Sequence, residues 1–210
     1  MVHPLRVVIF DFGEVLCFRP TAEAIDRMAE LFGVDSRTVL TVYSPSRDPY
    51  DRGDLSADEY WSKIASELGA KVSADQIMDL RRWDTEMWSN INSAMTDWHS
   101  DLRAAGWKTA LLSNMPWDMA HHVQKSFTWL QDFDSRTFSC EVRSIKPDAA
   151  IFKHCVERLG VRPEEALFVD DKHENIQGAQ KLGIKGIRFE NAQQLRRELE
   201  TIGFPVLPMV

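Results

Sequence analysis

Apolar positions along the chain form two kinds of segment. Residues 7–10, Val-Val-Ile-Phe, are a short continuous run rich in β-branched side chains, which is typical of a central parallel strand covered on both faces. Similar runs follow at 109–112, 166–169 and 186–189. Helical spacing separates them, most clearly over 149–159, where Gly160 follows as a C-cap signal. Strands that alternate with helices predict an α/β fold with a doubly wound, Rossmann-like parallel sheet.

The stretch 18–92 differs because it contains no strand-like run. Ser56 and Ser73 each begin a capping-box pattern, in which a hydroxyl at the N-cap is followed by Glu or Gln at the third helical position. Apolar residues follow both boxes at helical spacing. We therefore predict a helical insertion over 18–92, after the first strand, and a sheet-bearing core over 1–17 and 93–210.

Charge and cysteine content narrow the classes of function. The chain has 32 acidic and 25 basic residues, a net charge of −7, which argues against broad nucleic-acid binding. Cys17, Cys140 and Cys155 are scattered without metal-ligand spacing, which favours reduced thiols in a cytoplasmic protein. The N-terminal apolar run is too short for a signal peptide or a membrane span, so we expect no membrane partner.

Chemically competent residues occur in four pieces, which we place at the ends of predicted strands. They are Asp11-Phe12-Gly13, Ser113-Asn114, Lys146-Pro147 and Asp170-Asp171. The carboxyl ends of parallel strands meet at one rim of a sheet, so we expect these side chains to converge there. The rim would then carry carboxylates, a hydroxyl, an amide and an ammonium group.

This combination of carboxylates, a hydroxyl, an amide and an ammonium group suits phosphoryl transfer. A phosphate monoester repels an attacking carboxylate, and Mg²⁺ held by Asp11, Asp170 and Asp171 would remove that repulsion. Ser113 can donate a hydrogen bond to a phosphate oxygen, and Lys146 can place a positive charge beside it. The turn at Phe12-Gly13 offers backbone N–H groups for the same anion.

The motifs VVIFDFGEVL, LLSN, KP and FVDDKHENIQGAQKLGI, in this order, resemble the haloacid dehalogenase superfamily. The closest likeness is to phosphatase-like members with a helical cap after the first strand, among them bacterial sugar-phosphate phosphatases and the phosphatase domains of bifunctional epoxide hydrolases. The resemblance implies that Asp11 forms an aspartyl-phosphate, which water hydrolyses. It adds Asn114 to the phosphate-binding residues, and the Gly13 carbonyl to the Mg²⁺ ligands.

Gly13 departs from the pattern of most of these phosphatases, which have Asp at that position as general acid and base. General acid catalysis typically contributes about 10²–10⁴-fold, so its loss slows an enzyme without removing metal and positioning effects. Glu14 is either a replacement acid or a peripheral side chain. Asn175 either orients an active-site carboxylate or caps a helix, and Ser113 has a second role open to it as the N-cap of the helix near Pro116.

The leading hypothesis is a Mg²⁺-dependent phosphatase that acts on a small phosphorylated metabolite such as a sugar phosphate. Two alternatives stay open. One is a 2-haloacid dehalogenase, in which the same Asp11 attacks carbon and no metal is needed. The other is a weakly active regulatory member of the superfamily, for which Gly13 is the support. The seven tryptophans are interpreted mainly as packing residues of the insertion and of its interface with the core, with Trp117 expected at the mouth of the pocket.

Overall fold

Five parallel strands form the centre of the protein in the computed structural model, which describes residues 4–209. Their spatial order is β3-β2-β1-β4-β5, and every neighbouring pair is parallel. The strands are β1 (Val7–Phe10), β2 (Lys108–Ser113), β3 (Ser135–Phe138), β4 (Ala166–Asp170) and β5 (Lys185–Arg188). The predicted α/β class with a Rossmann-like parallel sheet is confirmed. The terminal residues of the predicted core, 1–3 and Val210, lie outside the described part.

Strand β3 has no counterpart in the predicted set. Its sequence, Ser-Arg-Thr-Phe, has one large apolar residue, so it does not resemble the apolar runs of the other strands. The strand lies at the edge of the sheet, where only β2 pairs with it. An edge strand tolerates polar side chains that a central parallel strand would not, and this is why the apolar pattern failed here.

Helices cover both faces of the sheet, and the alternation of side chains along the strands sorts them. In β1, Val8 and Phe10 are buried with the helices 93–104, 117–126 and 192–201, whereas Val7 and Ile9 are buried with the helices 149–159 and 173–180. All four side chains are fully buried, as the continuous apolar run predicts. The helices of this part are α6 (Ser93–Ala104), α7 (Trp117–Ser126), the short α8 (Ser139–Val142), α9 (Ala149–Leu159), α10 (His173–Gln180) and α11 (Ala192–Thr201).

The remaining helices pack around an apolar cluster of their own, which includes Met28, Tyr60, Trp61 and Leu80. They are α1 (Ala22–Phe32), α2 (Ser36–Tyr43), α3 (Arg47–Asp51), α4 (Ala57–Glu67) and α5 (Ala74–Glu86). Both capping boxes form: Ser56 begins α4 and Ser73 begins α5, and each hydroxyl accepts a hydrogen bond from the third helical N–H. These caps fix the starts of α4 and α5.

Two adjacent segments connect the helices α1–α5 to the sheet. Cys17 and Ile91 form an antiparallel bridge, flanked by hydrogen bonds from Phe18 N–H to the Asn90 carbonyl and from Asn92 N–H to the Leu16 carbonyl. The chain thus leaves β1 and returns to α6 through two paired segments, and α2 and α3 lie over the carboxyl end of the sheet. Across residues 4–209, no helix combines the length and apolarity that crossing a membrane requires.

Candidate active site

A cavity of about 340 Å³ opens between the carboxyl ends of the strands on one side and α2, α3 and the turn after α5 on the other. Asp11 directly follows β1, Ser113 ends β2, and Asp170 ends β4. The predicted residues on the cavity wall are Asp11, Phe12, Gly13, Glu14, Ser113, Asn114, Lys146, Asp171 and Asn175. Asp170 is fully buried behind that wall. All four predicted pieces therefore meet at one rim, where Asp170 is more deeply buried than Asp171.

Lys146 is the central cation of the rim. Its Nζ lies 2.8 Å from Asp11 Oδ1 and 2.7 Å from Asp170 Oδ2, and it donates a hydrogen bond to the Leu112 carbonyl at 3.0 Å. Only 3% of the residue is exposed. A charge this deep must be paired, and two carboxylates supply the pairing.

The prediction that Lys146 lies at the end of a strand was wrong. The residue lies in the loop after α8, and the side chain of Asn114 holds that loop in place. Asn114 Nδ2 donates to the Lys146 carbonyl at 3.0 Å, and its Oδ1 accepts from the Lys146 N–H at 2.8 Å. Asn114 therefore positions the lysine with both polar ends of its side chain. A reciprocal side-chain clamp of this kind has no signature in sequence spacing.

Asp170 is saturated with hydrogen bonds. Its Oδ1 accepts from the Lys172 N–H and from Asn175 Nδ2, and its Oδ2 accepts from Lys146 Nζ and again from Asn175 Nδ2. Asn175 is 2% exposed, so this pairing satisfies a buried amide and fixes a buried carboxylate. Of the two roles left open for Asn175, orientation of a carboxylate is the one observed, while Lys172 occupies the N-cap of α10.

Asp171 has the opposite environment. Within residues 4–209 its carboxylate makes no hydrogen bond or ion pair, although it lines the cavity beside Asp11. One carboxylate oxygen from each of Asp11, Asp170 and Asp171 lies within 4.8 Å of the others. Asp11 Oδ1 is engaged by Lys146 and by the Phe12 N–H, which leaves Oδ2 outside these bonds. The free oxygens at the rim therefore belong to Asp11 and Asp171.

Negative charge exceeds positive charge at this rim. Burial is the main cause that raises the pKa of Asp11 from 3.8 to about 6; Lys146 opposes this shift, and the neighbouring Asp170 adds to it. Burial, then Asp11 and Asp170, raise the pKa of Asp171 to about 7. Burial alone would lower the pKa of Lys146, but Asp11 and Asp170 raise it above its ordinary value. Three carboxylates that share one ammonium fit a divalent cation with oxygen ligands.

The turn after Asp11 brings backbone close to the carboxylates. The Phe12 N–H donates to Asp11 Oδ1 at 2.7 Å, so this amide already serves the aspartate. Gly13 has φ −64°, a conformation open to any residue, whereas Glu14 has φ +56° in the left-handed region. Glu14 lines the cavity and forms an ion pair with Arg19 at 2.8 Å. The turn therefore holds Glu14 in a strained backbone conformation.

The helical insertion supplies part of the wall that sequence reasoning missed. Trp88 was interpreted as a packing residue of the insertion or of its interface with the core, and its ring also lines the cavity, 3.4 Å from the position that a Cβ on Gly13 would occupy. The other residues that the prediction lacked are Tyr43, Ser44, Arg47, Asp48, Asp51, Met115, Met119 and Lys172. Most of them come from α2 and α3, where no motif distinguishes a wall residue from a packing residue. Only the fold brings them over the rim.

Two expectations at β2 and α7 have different outcomes. Ser113 is 3% exposed and lines the cavity, and Pro116 occupies the N-cap of α7, so the capping role for Ser113 is not observed. Trp117 does not line the cavity, contrary to its expected place at the mouth. It lies over Gly53, where an added Cβ would meet Trp117 Nε1 at 3.0 Å and the Cys140 carbonyl at 3.1 Å. Trp117 therefore packs where α7 contacts the loop after α3.

With its cluster of aspartates at the carboxyl end of a parallel sheet, the chain has the fold and the site of a hydrolase. Residues 5–183 match the family model described as haloacid dehalogenase-like hydrolase, and the chain belongs to that family. The chain is 24% identical over 203 residues to a sesquiterpene phosphatase of Aspergillus oryzae, with 96% of this chain and 98% of that protein covered. It is 32% identical to (S)-2-haloacid dehalogenase 4A of Burkholderia cepacia, with 90% and 84% covered.

Other relatives are longer or more distant. The chain is 29% identical to acyl-CoA dehydrogenase family member 10 of Mus musculus, but it spans only 19% of that protein's length. Among solved structures, a haloacid dehalogenase family enzyme from Bacteroides thetaiotaomicron, in complex with magnesium and inorganic phosphate, superposes with a TM-score of 0.70 at 22% identity. That alignment covers 89% of this chain and 94% of the other, and it shows the shared fold.

Proposed function

We propose that this protein is a Mg²⁺-dependent phosphatase in which Asp11 is the nucleophile. The observation that carries the proposal is the excess of carboxylates at the rim: Asp11 and Asp171 have raised pKa values and oxygens without partners. A site that only needed a nucleophile would not gain from a second unpaired acid. A magnesium ion there would neutralise the repulsion between carboxylate and phosphate and polarise the phosphorus.

In this proposal each residue at the rim has its own role in the reaction. Asp11 attacks phosphorus through its carboxylate, which Lys146 and the Phe12 N–H orient at Oδ1. The bond between phosphorus and the ester oxygen breaks as the aspartyl-phosphate forms, and the departing alkoxide takes a proton from water. Water then cleaves the acyl phosphate, which restores Asp11 and releases phosphate. Ser113 and the Gly13 N–H bind phosphate oxygens, and Lys146 balances their charge. Asp171 and Asp11, with the Gly13 carbonyl, are the proposed metal ligands, and Asp170 orients Lys146 from behind.

The helical insertion over 18–92 is proposed as a cap that encloses the leaving group. Gly13 offers no carboxyl for protonation of that group, so the enzyme should favour leaving groups that need little of it, such as the oxygen of a sugar C1 phosphate. Trp88 and the residues of α2 and α3 supply the cap's side of the cavity. The sesquiterpene phosphatase relative supports phosphate ester chemistry on this scaffold, but not a particular substrate.

The second candidate is a 2-haloacid dehalogenase, because the Burkholderia cepacia dehalogenase is 32% identical over most of both chains. In that reaction Asp11 attacks carbon and halide departs, without a metal. The unpaired Asp171 disfavours this alternative, since a carboxylate beside the nucleophile would repel both a carboxylate substrate and a departing halide.

One experiment separates the candidates. The purified protein is assayed with a panel of phosphomonoesters and with 2-chloropropionate, each with Mg²⁺ and with EDTA, and Asp11→Asn serves as the nucleophile control. We expect phosphate release that needs Mg²⁺ and disappears in Asp11→Asn. Chloride release that EDTA leaves intact would establish the dehalogenase instead. Phosphate release that persists at wild-type rate in Asp11→Asn would refute the assignment of Asp11.

A further inference from the structure

The cap contributes one cation to the cavity wall, Arg47 at the start of α3. Its side chain is 14% exposed, so most of it is enclosed by the cap while part of it reaches the cavity. Lys146 and Lys172 approach the cavity from the sheet side. A buried arginine opposite the phosphate site is placed to contact the part of a substrate that remains after phosphoryl transfer.

Arg47 is held rigidly. Nε donates to Asp51 Oδ1 at 2.8 Å, and Nη1 donates to Asp84 Oδ1 at 2.8 Å and to the Tyr43 hydroxyl at 2.8 Å. The guanidinium carbon also lies 5.1 Å from the ring centroids of Tyr43 and Tyr50, and 5.7 Å from that of Tyr60. These contacts fix a side chain that would otherwise lose much rotamer entropy on binding a ligand. Nη2 takes no part in the bonds to Asp51, Asp84 and Tyr43, and the Tyr60 hydroxyl is a further hydrogen-bond partner of the Arg47 side chain.

The charge around Arg47 is negative in spite of the guanidinium. Asp51 and Asp84 both pair with it, which gives two carboxylates for one cation. Asp48, the next residue along α3, also lines the cavity, and its exposed carboxylate makes no ion pair within the described part of the chain. A second anionic group on the substrate would therefore meet net repulsion at the cap, whereas an uncharged oxygen could still accept a hydrogen bond from Arg47.

We propose that Arg47 is a specificity-determining residue: it donates hydrogen bonds to an uncharged, hydroxyl-bearing leaving group, and the aspartates beside it exclude leaving groups with a second negative charge. This inference rests on the proposed phosphatase activity and names the class of substrate for it. The substrate is a monophosphate of a neutral polyhydroxy compound, and bisphosphates and phosphorylated acids are rejected.

The test uses three substrates that share a three-carbon chain: glycerol 1-phosphate, propyl phosphate and 3-phosphoglycerate. Wild-type kcat/KM should be highest for glycerol 1-phosphate and lowest for 3-phosphoglycerate. Arg47→Lys keeps the charge but loses the planar fork, and should lower kcat/KM for glycerol 1-phosphate about ten-fold or more relative to propyl phosphate. The ratio between variant and wild type cancels the intrinsic reactivity of each ester. Arg82→Lys, which affects a surface arginine paired with Asp79, is the matched control.

Asp48→Asn tests the charge argument without disturbing a buried pair. It should raise kcat/KM for 3-phosphoglycerate about three-fold or more relative to glycerol 1-phosphate. If Arg47→Lys does not fold, this variant decides alone. Equal changes for all three substrates, or a wild type that prefers 3-phosphoglycerate, would overturn the inference while leaving the phosphatase intact. Absence of Mg²⁺-dependent release from p-nitrophenyl phosphate would overturn the proposed function itself, and the inference with it.

Discussion

Asp11→Asn should abolish turnover and, above pH 6, make the metal-free protein more stable. The carboxylate is 7% exposed, and its environment raises its pKa from 3.8 to about 6, a figure that already includes the attraction of Lys146. One pKa unit corresponds to about 1.4 kcal/mol, so the charged Asp11 costs the folded state at most about 3 kcal/mol. The amide of Asn carries no charge and can still accept the hydrogen bonds at Oδ1.

The sign of the effect depends on pH. The folded-state pKa lies above the unfolded value, so the cost of the charged form is complete above pH 6 and disappears as the pH falls towards 4. Asp11→Asn should therefore raise the free energy of unfolding at pH 8 by up to about 3 kcal/mol, and by much less at pH 4.5. A nucleophile whose negative charge destabilises the folded protein is an expected compromise between stability and activity.

Urea-induced unfolding in EDTA at pH 8 and pH 4.5 measures this difference. Asp134→Asn is the matched control, because Asp134 is an exposed carboxylate that accepts a hydrogen bond from the Thr109 N–H at the start of β2. It should show no comparable gain at pH 8. If Asp11→Asn instead loses stability at pH 8, the rim is not short of positive charge, and the case for a metal there fails. Turnover at the wild-type rate would refute its role as nucleophile.

Three further predictions concern the metal, a buried histidine and the missing acid. Asp171→Ala should weaken Mg²⁺ binding about ten-fold or more in calorimetric titration, and unchanged affinity would remove Asp171 from the ligands. Burial lowers the pKa of His99 to about 4, so its protonation between pH 6.5 and 4 favours the unfolded state by at most about 3 kcal/mol. His99→Gln should therefore make the free energy of unfolding, measured in urea, less dependent on pH in this range, whereas the exposed His173→Gln should leave that dependence unchanged. Gly13→Asp should fold, since φ is −64° and a Cβ meets Trp88 at an ordinary 3.4 Å, and it should raise kcat/KM more for poor leaving groups than for good ones. An equal gain for all leaving groups would point to a proton donor elsewhere.

The sequence predicted those parts of the site that depend on strand ends. Asp11, Ser113 and Asp170 each follow or end an apolar run, and the topology of a parallel sheet then brings them to one rim. The adjacent acids were visible as a pair, but not their different surroundings. The Asp170 carboxylate accepts hydrogen bonds at both oxygens, whereas the Asp171 carboxylate accepts none within the described residues, because only Asp170 faces Lys146 and Asn175.

Residues of the cap could not be predicted in this way. Arg47 lies on α3 and Trp88 in the turn after α5, and the apolar spacing of these helices shows which face packs, but not which side chains reach over the sheet. Their position depends on how the bridge at Cys17 and Ile91 sets the cap over the rim, which is a long-range property. Strand β3 was missed for a related reason, since an edge strand needs only one paired neighbour and little apolar sequence.

Carboxylates outnumber cations at both ends of the cavity, and the consequences differ. At the rim, Asp11 and Asp171 have oxygens without partners close enough to share one divalent cation, so the excess charge can be compensated and the phosphate is attracted. At the cap, Asp51 and Asp84 both pair with Arg47, and Asp48 is exposed. The excess of negative charge is therefore not compensated there, and it repels a second anionic group on the substrate. A monophosphate of a neutral alcohol can satisfy both ends in one orientation only, with phosphorus beside Asp11 and hydroxyl groups towards Arg47. The same charges that select the substrate would therefore also align it for attack.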